Sequence, residues 1–402
     1  MFRPEILAPA GNLFKLKTAV RYGADAVYIA GKRFGLRSAA ENFTLGEIAE
    51  GCRFAHAHNA FVYVVLNGFL FDEELADLPP FLSGLKEAGV DALIVSDLGV
   101  VTTVQRLVDI PIHLSTQASA LSSHAAHFWK SCGVKRIVLG REVSIAEAAA
   151  IKVNSGVEVE VFAHGAMCSA YSGNCTISNF TAGRDSNRGG CVQSCRFRYR
   201  LGEQGGPSAH LFSSKDLRGV SHMDRFIQGE INSLKIEGRM KSALYVAATV
   251  RTYSKARDAL LAGQKPSVDA LFAELDAMSH RDYSSANLVR KADQTSIYSH
   301  GENEKTKTHD LVGHVLEARK DCHVAVFLKN PLKPGEPVEM LTRYQGNICL
   351  DTTSLRDLSG TTLERANPNR VVLLSWHPLA EKDLLLRKGN DAPIHHDPAL
   401  SA

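Results

Sequence analysis

The sequence predicts an α/β fold: a (β/α)8 TIM-like barrel with a cysteine-rich insertion, followed by a small C-terminal β-barrel domain. Three observations predict it. Eight short apolar runs alternate with amphipathic stretches over the first 263 of 402 residues, and most of those runs end on a polar residue. Between the seventh and eighth runs lies a stretch with four cysteines and no periodicity. Past Leu311 the pattern changes to strand-like runs separated by Pro, Gly and Asn turns. Apolar strands divided by helices pair in parallel and are buried on both faces. Eight such units in about 250 residues suit a closed barrel better than an open sheet. A doubly wound sheet fits less well, because APAGN after the first run is a tight turn and not G-x-G-x-x-G.

The predicted strands are EILAPAG (5–11), ADAVYIAG (24–31), FVYVVLNGF (61–69), ALIVSD (92–97), IHLSTQ (112–117), RIVLG (136–140), VEVEVFAHG (157–165) and INSLKIEGR (231–239). LGEIAEGCRFAHAHN, EELADLPPFLSGLKEAG and SIAEAAAIKVNSG read as helices between them, and 242–263 reads as the closing helix with Gly263 as its stop. The strand exits are Tyr28, Asn67, Asp97, Gln117, Arg141, His164 and the group Lys235, Glu237 and Arg239. In a barrel these gather at one mouth, where such folds place their chemistry; singly, each is as readily a loop cap. The predicted division is residues 1–265 for the barrel, with the cysteine loop at 164–200, and 266–310 for a connecting segment and linker. The β-barrel domain takes 311–388, and 389–402 is a flexible tail.

Composition narrows the class. An apolar fraction of 45% with 22% charged residues is ordinary for a folded chain. No window of about 18 apolar residues occurs, and the start has no basic segment followed by an apolar run. A cytoplasmic location is expected, where grouped thiols serve metal or redox chemistry more often than disulfides. The net charge of +3 is uninformative, but Arg184, Arg188, Arg196, Arg198 and Arg200 face only Asp185 in the same stretch. Such a run attracts phosphate, or is a solvated surface.

Cys168, Cys175, Cys191 and Cys195 have the spacing C-x6-C-x15-C-x3-C. This is neither the pairing of zinc ribbons nor a ferredoxin spacing. Four thiolates in 28 residues can converge on one soft site, so an iron–sulfur cluster, zinc and redox thiols all remain open. Nearby Gly and Ser can aim backbone N–H groups at cluster sulfurs, which favours iron. Cys52, Cys132, Cys322 and Cys349 are read as structural.

The segments HGAMCSAYSGNC, GRDSNRGGCVQSCRFRY, SSKDL and LKIEGRMKS, with APAGN and GADAVYIAGKRFGLR before them, closely resemble the collagenase-like peptidase family of unknown catalytic type (peptidase U32-like). The resemblance covers 5–260, and 311–388 is similar to the C-terminal domain of its tRNA uridine 5-hydroxylation branch. It implies a 4Fe–4S cluster on Cys168, Cys175, Cys191 and Cys195. It also implies prephenate-dependent, O2-independent formation of 5-hydroxyuridine at the tRNA wobble position, with an electron donor left unnamed. Sister branches imply hydroxylation of an rRNA cytidine or a quinone precursor, in part as accessory proteins. After SHRDY (279–283) the chain departs from the branch pattern.

On this reading Arg141, Arg184, Asn187, Arg188, Arg196, Lys235 and Arg239 bind the anionic substrates, since Arg meets carboxylate and phosphate bidentately. His164 and Glu237 are the candidates for proton transfer. His164 as a second-layer residue orienting the cysteine loop is an equal alternative. A peptidase would need a nucleophile with a base, or a metal-bound water. Neither G-x-S-x-G nor H-E-x-x-H occurs, and Cys168 beside His164 is the one imitation of a thiol–imidazole pair.

Overall fold

The structure, a computed structural model, describes residues 1–36, 41–200, 202, 208–294 and 307–389. Its strands are β1 (Glu5–Pro9), β2 (Ala26–Ile29), β3 (Phe61–Leu66), β4 (Ala92–Val95), β5 (Ile112–Leu114), β6 (Arg136–Val138), β7 (Glu158–Ala166), β8 (Tyr199–Arg200), β9 (Ser208–Ala209), β10 (Asp216–Arg218) and β11 (Ser233–Ile236). Strands β1 to β7 pair in parallel in chain order, and β11 pairs in parallel with both β7 and β1, which closes an eight-stranded barrel. The expected barrel forms because its strands are short and buried along nearly their whole length, while helices cover the outside. Two of those helices start on capping boxes, Thr44 with Glu47 and Ser144 with Glu147. The stretch read as one helix over EELADLPPFLSGLKEAG is two, Asp72–Leu75 and Leu78–Glu87, because Pro79 and Pro80 are tolerated only in a first helical turn.

Alternate residues of the strands fill the barrel. Leu7, Ala26, Tyr28, Ala30, Tyr63, Val65, Ala92 and Ile94 make one buried cluster. Beside it runs a chain of charge. Glu5 accepts from Tyr63 Oη, Ser233 Oγ and Arg136 Nη1, each at 2.7 Å. Arg136 also lies 3.8 Å from Glu160, which accepts from Lys235 Nζ at 2.8 Å. Glu160 is wholly buried, so the pairing has a large desolvation cost to offset. The chain of charge ends with Lys235 at the upper end of the barrel.

Between β7 and β11 the chain leaves the barrel. It forms the cysteine-rich insertion, the ribbon β8–β9, and β10, which pairs antiparallel with the end of β7. The segment after 266, expected as a connector, contains the helix Val268–Asp276 and the short strand β12 (Tyr283–Ser284), which pairs with β10. Arg281 explains the attachment: its guanidinium holds the buried Asp216 at 2.6 Å, and its backbone N–H donates to the same carboxylate at 3.0 Å. Of the expected linker, 295–306 lies outside the described residues, as does 390–402 of the expected tail.

Among the described residues, the second compact unit comprises Leu275–Ser279 and 307–389. It contains β13 (His309–Arg319), β14 (His323–Leu328), β15 (Val338–Leu341), β16 (Asn347–Leu350), β17 (Val371–Leu374) and β18 (Leu385–Gly389). They form a six-stranded antiparallel sheet in the order β16-β15-β18-β13-β14-β17. Val312, Val315, Val326, Met340 and Leu386 bury its inner face, and bulges in β13 bend it. Cys322 lies in the β13–β14 turn and, like Cys349, is exposed. Among the described residues no helix is long and apolar enough to cross a membrane.

Candidate functional site

A cavity of about 200 Å³ opens at the C-terminal ends of the barrel strands. Its floor is the top layer of the barrel: Tyr28 from β2, Val65 from β3, Ile94 from β4, Val138 from β6, Phe162 from β7 and Lys235 from β11. The strand exits Asn67, Gln117, Arg141, Glu237 and Arg239 form the rim, and all four cysteines of the insertion line the opposite wall. The exit Asp97 instead caps the helix Leu98–Leu107 by accepting from Val100 N–H at 3.0 Å.

The polar groups in this cavity are held in fixed places. Glu237 accepts from Tyr28 Oη at 2.9 Å, and its carbonyl accepts from Tyr245 Oη at 2.9 Å. Gly165 permits that approach: a Cβ there would sit 2.2 Å from the same carbonyl oxygen, and its φ of 100° favours glycine. Lys235 is paired with Glu160 below and lies 4.6 Å from the Tyr28 ring. The Arg141 guanidinium stacks 3.8 Å from the Phe162 ring centre, and its buried Nε has no hydrogen-bond partner. Asn67 donates to Gln117 Oε1 at 2.9 Å, leaving its own buried Oδ1 without a partner. Three cations, one carboxylate and an amide pair thus surround an aromatic floor. A small anionic ring would satisfy both parts of such a surface.

The thiol wall is built differently. None of the four cysteines is in a disulfide. Asn187 grips Cys175 from both sides: its Oδ1 accepts from Cys175 N–H at 3.2 Å and its Nδ2 donates to Cys175 O at 3.1 Å. Ile177 N–H donates to Cys175 Sγ at 3.4 Å. Burial pushes the Cys195 thiol up from its ordinary value, with Cys168 and Cys191 beside it adding in the same direction. A bound cation reverses that balance, because it stabilises thiolates outright. All four free thiols line one cavity, and such a donor set suits a soft metal centre, zinc or an iron–sulfur cluster.

The remaining site candidates lie elsewhere. Arg184, Arg188, Arg196 and Asn187 do not line the cavity. Arg188 clamps the loop after β3, donating to Phe69 O at 2.6 Å and pairing with Glu74 at 2.9 Å. Arg184 is exposed. His164 is the plainest departure. In the β7–β11 ladder Phe162 faces Lys235 but His164 faces Ile236, so Ala163 is an extra residue. That one-residue bulge turns the next side chain to the other face of the sheet.

His164 therefore points away from the cavity, into a nest of Tyr245, Tyr253 and Tyr283. Burial lowers its pKa to about 3. Its Nδ1 is 3.3 Å from Tyr253 Oη, which also accepts from Gly219 N–H and donates to Ala163 O. The hydroxyl proton is thus committed, so Nδ1 carries a proton and donates, and the buried Nε2 has no partner. A neutral imidazole facing the barrel's outer helix cannot pair with Cys168 in the cavity. Phe162 went unassigned in the sequence, although the alternation of β7 points to it, and Asn67 and Gln117 were placed at the mouth only as strand exits, not as a pair.

Family comparisons agree with this architecture. The peptidase family U32 model matches residues 11–298, and the model of its C-terminal domain matches 307–387. The chain belongs to peptidase family U32. It is similar to tRNA hydroxylation protein P1 of Bacillus subtilis, 40% identical across 96% of this chain and 95% of that one. It is likewise similar to tRNA hydroxylation protein P of Escherichia coli, 33% identical across 90% and 91%. The 23S rRNA 5-hydroxycytidine C2501 synthase of Escherichia coli is 34% identical across 85% of this chain but 53% of its own length. This U32 chain thus shares full-length architecture with the tRNA proteins and only part of the rRNA enzyme's.

Proposed function

We propose that the chain hydroxylates carbon 5 of the wobble uridine of tRNA without O2, using prephenate as co-substrate and a 4Fe–4S cluster held by Cys168, Cys175, Cys191 and Cys195. The observation that carries the proposal is one cavity lined by four free thiols on one wall and by Arg141, Lys235, Arg239 and Glu237 on the other. Similarity to two tRNA hydroxylation proteins over nine-tenths or more of the chain supports tRNA as the substrate. When bound, such a cluster supplies electron transfer beside the substrate.

The chain's own residues do the rest. Arg141, Lys235 and Arg239 receive the carboxylates of the co-substrate, and the apolar floor of Tyr28, Val65 and Phe162 packs against its ring. Glu237, oriented by Tyr28, is the proton acceptor at the reacting atom, while His164 holds the bulge that places Gly165 under Glu237. The base would enter extruded, the form in which a loop nucleotide is available to such a mouth. The reaction is expected in the cytoplasm, and because hydroxylation of a C–H bond without O2 withdraws two electrons from the base, it needs a redox partner, the co-substrate or a separate carrier, that accepts them.

Nucleoside mass spectrometry of tRNA from cells with and without the gene tests this. Deletion should remove 5-hydroxyuridine and its derivatives, and the wild-type chain should restore them. An unchanged profile in cells stripped of any other wobble-hydroxylating enzyme would overturn the reading.

A further inference from the structure

Phe180 is 88% exposed. It sits on the short helix Ile177–Ala182, whose Ile177 and Ser178 line the cavity. Four residues on, Arg184 is exposed and pairs with no carboxylate among the described residues. Asp185, the one acid between 177 and 200, accepts instead from Asn187 N–H at 2.9 Å. A second ring and cation follow Cys195. Phe197 is 47% exposed, and the exposed Arg198 donates to Ser208 O at 3.1 Å. None of these four side chains lines the cavity, and the two segments that carry them are tied together, Thr181 Oγ1 donating to Ser194 Oγ at 2.6 Å.

Nothing in the barrel mechanism uses them. An exposed apolar ring with an exposed arginine one to four residues away in the chain is a poor surface for a protein core. It suits an unstacked nucleotide, which offers a π-face and a phosphate together. We infer that this outer face of the insertion holds the bases flanking the target nucleotide of a single-stranded RNA loop, with Phe180 and Phe197 stacking on bases and Arg184 and Arg198 meeting phosphates. The inference rests on the RNA-modifying reading and assigns its substrate-gripping surface.

The test is binding of a tRNA anticodon stem-loop to the iron-loaded full chain, followed by anisotropy. Phe180→Ala should weaken binding by about 5- to 100-fold with iron content unchanged. Phe180→Trp should bind like wild type, with its indole fluorescence quenched by the RNA. Arg184→Ala should lower the slope of log affinity against log salt by about 0.7. Wild-type affinity in both Phe180→Ala and the double variant Phe180→Ala/Phe197→Ala would overturn the surface and leave the tRNA reading standing. Failure of the wild-type chain to bind the stem-loop would overturn both. A change in oligomeric mass in Phe180→Ala with RNA binding intact would make the face a contact between copies and sink the inference.

Discussion

The two walls of the cavity are built by opposite means. The barrel wall is regular: strands bury alternate residues, and the chain from Glu5 through Arg136 and Glu160 to Lys235 fixes charge at its floor. The insertion wall has almost no regular structure. It is three single 3-10 turns and the short helix Ile177–Ala182, with left-handed backbone at Ser172, Gln193, Gly183 and Gly189. Side chains do there what a ladder does in the barrel. Ser194 Oγ accepts from Thr181 Oγ1 at 2.6 Å, Ser178 Oγ accepts from Val192 N–H at 3.3 Å, and Glu142 reaches over to accept from Ser172 N–H at 2.8 Å. A ladder is cooperative with the whole sheet, whereas these are separate bonds each contributing about 1 kcal/mol. The barrel wall is thus self-supporting, whereas the insertion wall would gain most of its order from the metal centre proposed for its thiols.

The largest effect should come from splitting the two. Cys191→Ala is expected to abolish hydroxylation and lose iron, while far-UV circular dichroism and the main thermal transition of the barrel stay close to wild type. Limited proteolysis should then cut within 168–200 and leave the rest. Joint collapse of both walls would show that the barrel also needs the cluster, and full activity without iron would remove the cluster from the mechanism.

A smaller effect, confined to the other wall, is expected from Glu160→Gln. Lys235 would then face a neutral amide in place of the carboxylate it donates to at 2.8 Å. Breaking one side of such a pair costs about 3–5 kcal/mol, read as a shift of the urea midpoint at unchanged iron content. The charged floor would also be misplaced, so the KM for the co-substrate should rise more than kcat falls. A KM and midpoint both equal to wild type would show that Lys235 is held by the Tyr28 and Phe162 rings alone.

How much of this was legible follows the same division. The barrel was readable because each strand is a short buried run and each helix an amphipathic one, and five of the exits, Asn67, Gln117, Arg141, Glu237 and Arg239, could be placed on one rim by counting. The four cysteines were readable as a group because their ligand chemistry does not depend on local structure. What could not be read was geometry set by side chains far apart in sequence. Arg188 looked like a substrate ligand and is a clamp on Phe69, 119 residues away. Arg281 looked like part of a connector and holds Asp216 into the barrel unit. His164 misled for a sharper reason: strand alternation puts it beside Phe162's face, and a single bulged residue reverses that.

His164 stands at the seam between the two walls, and the mildest test addresses it. A buried imidazole with a folded pKa near 3 is neutral where the unfolded chain's, near 6.5, takes up a proton. Between those values the unfolded state binds more protons, so stability rises with pH; this contribution is fully present above about 6.5 and drains away as pH falls toward 3. The slope is about 1.4 kcal/mol per pH unit for one group. His164→Phe keeps an aromatic ring among Tyr245, Tyr253 and Tyr283 and removes the titration. Urea unfolding at pH 7.5 and 5.5 should therefore show a smaller loss of stability in the variant than in wild type. The Tyr253 hydroxyl would lose one of its two donors, a cost that does not vary with pH in this range. Equal pH slopes in the two proteins would mean that the imidazole gains a proton without unfolding, hence that the nest opens to water and the bulge at Ala163 is held by the insertion rather than by the barrel.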